Sequence, residues 1–155
     1  MSIGLVIVAS AFAGFLLLKL AGSAKRTRDH EAFARYRAAL DRARRTRVHA
    51  EKAAAFREAS RVALESMRRP NLAVSLARRA DRLDPDGHEG LELLVRSMTE
   101  GARLRALERL LWRKLKEVEP GSDRHRRLFA ELLALYGGPL KDPDRAEALR
   151  RLYPT

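Results

Sequence analysis

Two proline-bearing turns, LDPDGHEG around Pro85 and VEPGSD around Pro120, lie 35 residues apart, and that interval constrains the fold more than any other feature of the chain. Stepping by it pairs Phe56 with Leu91, Ala59 with Leu94, Ser60 with Val95 and Ala63 with Met98, then Ala77 with Trp112 and Ala80 with Leu115. A fixed period of about 34 residues, with two helices per unit and a proline closing the second, marks an α-solenoid, whose units bury their apolar faces only against their neighbours. The residues between the turns agree. Leu104, Leu107, Leu111 and Leu115 recur at helical spacing, and Leu128, Leu132 and Leu135 do the same for a following helix. Gly101, Gly121, Gly137 and Gly138 stand where helices should stop. Asp86 and Asp123 stand where caps or first-turn acids would start them.

The stretch LAVSLARRADRLDPD resembles the second helix and exit turn of a tetratricopeptide repeat. Ala73, Ala77, Ala80 and Pro85 occupy that family's small, aromatic-or-small, small and proline positions, and Glu108, Trp112, Leu115 and Pro120 match them in the next unit. A third, partial unit is HRRLFAELLALYGGPLKDPDRAEALRRLYP, with Tyr136 and Gly137 closing its first helix. The first helices fit the family's spacing once one extra residue per unit is allowed. The resemblance covers residues 48–153 and implies a small α-solenoid that binds protein segments in a groove, with no catalytic residues to carry over. So few repeats form a small core. Uncapped arrays of this kind are marginal, so a further helix or a partner is expected to cover the open ends.

The chain opens on MSIGLVIVASAFAGFLLLKLAGSAKRTR, in which Lys19 is the one charged side chain from Ser2 to Ala24. A helix of that length rises roughly 30 Å, enough to cross the hydrocarbon core of a bilayer. The expectation is therefore a single transmembrane helix over 2–24, with Lys19 snorkelling to the headgroups. Gly4, Ser10, Ala11 and Gly14 would let a neighbouring helix pack closely against it. No basic side chain precedes the apolar run, as a secretory signal would require. LAGS has Ser23 where a lipid-modified cysteine would stand, and the chain has no cysteine. The alternative is cleavage near Gly22, Ser23 and Ala24 to release an exported periplasmic repeat module.

Positive charge collects directly behind this stretch. Residues 25–47 carry nine basic side chains (Lys25, Arg26, Arg28, Arg35, Arg37, Arg42, Arg44, Arg45 and Arg47) against Asp29, Glu31 and Asp41. By the positive-inside rule this flank is cytoplasmic and the N-terminus outside, at a bacterial inner membrane. No Gly or Pro occurs from Ala24 to Arg69, so the basic segment is expected to be helical. Phe33, Tyr36, Leu40 and Ala43 form a narrow apolar stripe on it. Two uses compete: anionic lipid headgroups for the basic residues, or protein docking on Phe33, Tyr36 and Leu40. The whole chain carries a net charge of +12, and part of the arginine excess matches a GC-rich coding bias. With few aromatics and no binding motif, nucleic acid is not an expected partner.

No catalytic signature accompanies these features. The four histidines, His30, His49, His88 and His125, form no HxxxH or HExxH pair. DPDGHE gathers metal-type ligands, but the same letters make a helix-breaking turn and a new helix start. No phosphate loop and no nucleophile elbow occurs. The expected architecture is all-α: a transmembrane helix (2–24), a basic amphipathic helix (25–47) and a solenoid (48–153). The expected function is that of a non-catalytic accessory, scaffold or assembly subunit of a larger integral membrane protein complex, with no cofactor, metal or small-molecule substrate.

Overall fold

The computed structural model describes residue 27 and residues 29–152. Within them the chain is all-helical, built from seven α-helices packed against one another. Residues 29–45 form α1, followed by α2 (His49–Arg61), α3 (Pro70–Leu83), α4 (His88–Glu100), α5 (Leu104–Glu117), α6 (Asp123–Gly137) and α7 (Pro143–Leu152). Consecutive helices pack in pairs, and α4 also touches α2 across the first pair. This arrangement is compatible with a helical repeat.

The repeat is visible in the turns. Each first helix passes to its partner through a residue in the left-handed region: Arg68 at φ 54°, Ala102 at φ 53° and Lys141 at φ 50°. Each of these stands two residues before the next helix begins, at Pro70, Leu104 and Pro143. A long backbone hydrogen bond closes each turn: Arg69 N–H to the Ala63 carbonyl and Asp142 N–H to Tyr136, each reaching back six residues, and Arg103 N–H to Met98, reaching back five, all 2.8 Å. Between α2 and the first of these turns, Val62–Ser66 winds as a π-helix, with Met67 N–H reaching the Val62 carbonyl at 3.0 Å. A π-turn takes up one surplus residue without breaking the helix, which accommodates, in the first unit, the extra residue that the sequence carries in each unit.

Helix starts and stops follow local chemistry. Pro70 and Pro143 begin α3 and α7, where a missing N–H costs nothing. Ser122 caps α6 by accepting from His125 N–H at 3.1 Å, which leaves Asp123 as a first-turn acid. Gly87 rather than Asp86 precedes α4, and Asp86 instead faces Arg124 at 3.5 Å.

Burial divides into two clusters that share α3. Val74 and Ala77 face a cluster of large side chains from α4 to α7, including Leu94, Met98, Leu107, Leu111, Leu128, Leu132 and Tyr136. Ala73, Leu76 and Ala80, on the other side of α3, face a cluster rich in alanine: Ala39, Ala43, Ala55, Ala59 and Ala63, with Phe56 and Leu64. Ala39 and Ala43 belong to α1, so this helix covers the N-terminal end of the array. Residues 46–48 separate it from α2. The break is held by Thr46, whose hydroxyl donates to Glu51 at 2.6 Å and accepts from Val48 N–H at 3.3 Å.

The all-α class stands, but the membrane-spanning part of the expected fold is corrected. Among the described residues no helix is long and apolar enough to cross a membrane. Each buries one stripe and keeps charged side chains on its other face, as a helix packed on a globular core does. The span expected over 2–24, with Gly4, Ser10, Ala11 and Gly14, lies outside the described residues, as do Lys25, Arg26 and Arg28.

Candidate functional site: a basic groove between α3 and α5

The helices α3 and α5 are the second members of successive pairs and are tied to each other by the Lys114–Asp81 ion pair. The chemistry of their outward faces follows from the register that buries the inner ones. On α3, burial of Ala73, Ala77 and Ala80 turns Ser75, Arg78, Arg79 and Arg82 outward. On α5, burial of Leu107 and Leu111 leaves Arg109 and Arg113 exposed and Ala106 and Leu110 half-buried. Between these rows runs an open groove of about 790 Å³, with fully buried Leu94 of α4 in its floor.

Its charge is one-sided. Arg78, Arg79, Arg82, Arg109, Arg113 and Lys114 line it with only Asp81 and Glu117. Asp81 is already answered: Lys114 Nζ donates to its Oδ2 at 2.5 Å, a mostly buried ion pair that ties α5 to α3. Among the described residues, none of the five groove arginines has a carboxylate oxygen within 4.0 Å. Arg79 lies over the Phe56 ring instead, 5.8 Å from its centre.

Several arginines outside the groove are paired across helices. Arg57 meets Asp84 at 2.7 Å and Glu89 at 3.3 Å, and Arg96 bridges Glu65 at 2.7 Å and Glu100 at 3.1 Å. The acids of the DPDGHE turn are accordingly taken up by ion pairs, Asp84 and Glu89 with Arg57 and Asp86 with Arg124, and His88 lies 3.9 Å from Glu92. No group of three or more metal-ligating side chains forms among the described residues.

A second polar centre is buried at the junction of α5, α6 and α7. Tyr136 donates its hydroxyl to Glu108 Oε1 at 2.7 Å and accepts from Trp112 Nε1 at 3.0 Å. Arg145 reaches Glu108 Oε1 at 2.8 Å and Arg105 reaches Oε2 at 3.0 Å. Burial works to raise the Glu108 carboxyl, yet the hydrogen bonds from Tyr136 and Arg105 and the charges of Arg105 and Arg145 hold it below the ordinary glutamate range. Burial pushes the Tyr136 phenol up. Three donors converge on this carboxylate, which thereby joins three helices. Trp112 is thus engaged in packing and hydrogen bonding.

The residues singled out in the basic helix have several fates. Arg35, Arg37, Arg44, Arg45 and Arg47 are exposed, with Arg44 at 3.4 Å from Asp41 and Arg37 stacked 4.9 Å over Phe33. Arg42 is ion-paired to Glu58 of α2. Tyr36 and Leu40 pack against the chain's own alanine-rich cluster, whereas Phe33 remains 41% exposed. The groove arginines were not singled out in the sequence, though a signal for them exists. Arg78 and Arg113 stand one repeat apart, so the same outward position is arginine in both units. Glu108 also left a trace: it falls within the Leu104, Leu107 and Leu111 stripe, where a carboxylate must find partners to be buried.

Comparison with protein-family models, with curated proteins and with solved structures gave no match.

Proposed function

We propose that this chain is a non-catalytic helical-repeat binding module of the tetratricopeptide kind, serving as an accessory or scaffold subunit of a larger assembly. The reading rests chiefly on the groove between α3 and α5. Five arginines that have no carboxylate partner among the described residues converge on one open channel with an apolar floor, whereas Arg57, Arg96 and Arg145 are held by carboxylates of other helices. Uncompensated like charges repel one another within the fold and attract an anionic partner. The buried ionisable centre supports the same reading, because Glu108, Tyr136 and Arg145 are committed to one another.

The test is affinity purification of the tagged full-length chain from its own host in mild detergent, with cross-linking and native mass measurement. A protein recovered at fixed stoichiometry and cross-linked to the helical domain is the expected result. Recovery of the chain alone, under conditions that keep it folded, would refute the reading.

A further inference from the structure

We propose that the groove between α3 and α5 receives an acidic amphipathic helix of a protein partner. This deepens the reading of the chain as a binding module and rests on it.

Charge complementarity sets the sign of the occupant. The exposed guanidinium groups of Arg78 and Arg82 stand on one wall and those of Arg109 and Arg113 on the other. Each prefers a carboxylate, which it can hold through two parallel hydrogen bonds. The floor sets a second requirement. Half-buried Ala106 and Leu110, lying over buried Leu94, offer an apolar strip at the bottom of the channel, and a partner carrying charge alone would leave it wet.

The spacing sets the third. Ser75, Arg78, Arg79 and Arg82 follow i, i+3, i+4, i+7 along α3, and Ala106, Arg109, Leu110, Arg113 and Glu117 extend the same pattern along α5. From Ala106 to Glu117 a helix rises roughly 16 Å, about three turns. An amphipathic helix of that length, apolar on the face turned to Ala106 and Leu110 and carboxylated along both flanks, matches both walls and floor. A flat lipid surface does not enter a channel between two helices, and the groove presents no aromatic ring on which a nucleobase could stack.

The experiment uses the full-length chain in mild detergent at about 0.15 M salt, where only close charge pairs escape screening. The probe is a fluorescently labelled helical peptide of about 12 residues, with leucines on one face and glutamates beside them, read by anisotropy. Its comparators are the same peptide with glutamine for glutamate, a single-stranded oligonucleotide of equal charge, and vesicles containing phosphatidylglycerol. The expected result is that the acidic peptide binds and that Arg78→Glu combined with Arg113→Glu weakens it by roughly tenfold or more. The glutamine peptide should bind comparably weakly. A control of equal charge change away from the groove, Arg127→Glu with Arg150→Glu, should leave affinity within about twofold. Circular dichroism checks that each variant stays helical. If the glutamate pair does not, Arg78→Gln with Arg113→Gln replaces it.

The proposal is overturned if the acidic peptide fails to bind, if the groove variant binds it as well as the parent, or if the control variant loses as much. It is overturned as well if the oligonucleotide or the vesicles bind more tightly than the peptide through Arg78 and Arg113. Should the peptide fail while a stoichiometric partner is still recovered from the host, the chain remains a binding module but another face does the binding.

Discussion

Three positions one repeat apart hold alanine in the first unit and a large side chain in the second, and each pair is buried alike. Ala59 and Leu94 are both 0% exposed, Ala63 and Met98 both 0%, Ala80 and Leu115 0% and 7%. The first unit fills its interior by bringing backbones close, which alanine permits. The second fills it with side-chain volume. Equal burial therefore rests on different energetics. Atoms removed from the second unit leave a cavity, whereas atoms added to the first meet neighbouring helices. The alanine-rich half has less apolar area to bury, and α1 supplies Ala39 and Ala43 to close it.

Exchanging residues between equivalent positions breaks this comparison most directly. Leu94→Ala is expected to cost about 2–5 kcal/mol through lost transfer energy and the void left behind. The reverse exchange, Ala59→Leu, is expected to cost about 1–3 kcal/mol through overpacking. Denaturant titration of the full-length chain and the two variants measures both. If Ala59→Leu stabilised the chain, the first unit would be underpacked and the contrast would fail.

A smaller effect concerns acid, and it tests the polar centre of the leucine-rich half. The folded state holds Glu108 below its ordinary value, so unfolding takes up a proton on acidification. The stability that its ionised form contributes is complete above the unfolded glutamate range and is lost as pH falls through the depressed folded value. Glu108→Gln should lower stability at pH 7 and flatten the decline toward acid relative to the parent chain. Urea titrations at neutral and acidic pH give the comparison. A variant whose decline is as steep as the parent's would show that other carboxylates set it.

The smallest effect lies in the turns that both halves share. Ala102 at φ 53° is strained by its Cβ, a cost of roughly 1–2 kcal/mol. Glycine relieves that strain but gives back about 0.5–1 kcal/mol through greater freedom in the unfolded chain. Ala102→Gly is thus expected to raise stability by about 0.5 kcal/mol, seen as a small rise in Tm. A fall in Tm would mean that the turn does not store the strain its geometry implies.

Much of the fold was legible in the residues because helical periodicity and turn chemistry are local. The spacing of Leu104, Leu107, Leu111 and Leu115 already named the inner face of α5, and the Leu128, Leu132 and Leu135 series named that of α6. Gly101 and Gly138 stand at the C-terminal ends of α4 and α6, and Pro70 and Pro143 at helix starts. A surplus residue in each unit was countable, but the π-turn that absorbs the first unit's at Val62–Ser66 was not, since a bulge, a loop or a longer helix would each absorb one residue.

Tertiary structure decided what each face meets. No glycine or proline interrupts residues 24–69, yet the chain breaks at 46–48 so that α1 can lie on α2, held by Thr46 and by the Arg42–Glu58 pair. The Tyr36 and Leu40 stripe has the same composition whether it docks a partner or its own core, and only the packing shows both side chains partly buried against the chain's own alanine-rich cluster. The same holds for charge. Arginine letters do not say which guanidinium groups find carboxylates, because those partners come from other helices. Arg57 finds Asp84, while Arg78 and Arg113 find none among the described residues. An amphipathic pattern is a property of one helix, whereas pairing and exposure belong to surfaces that helices make together, and these exist only once the chain has folded.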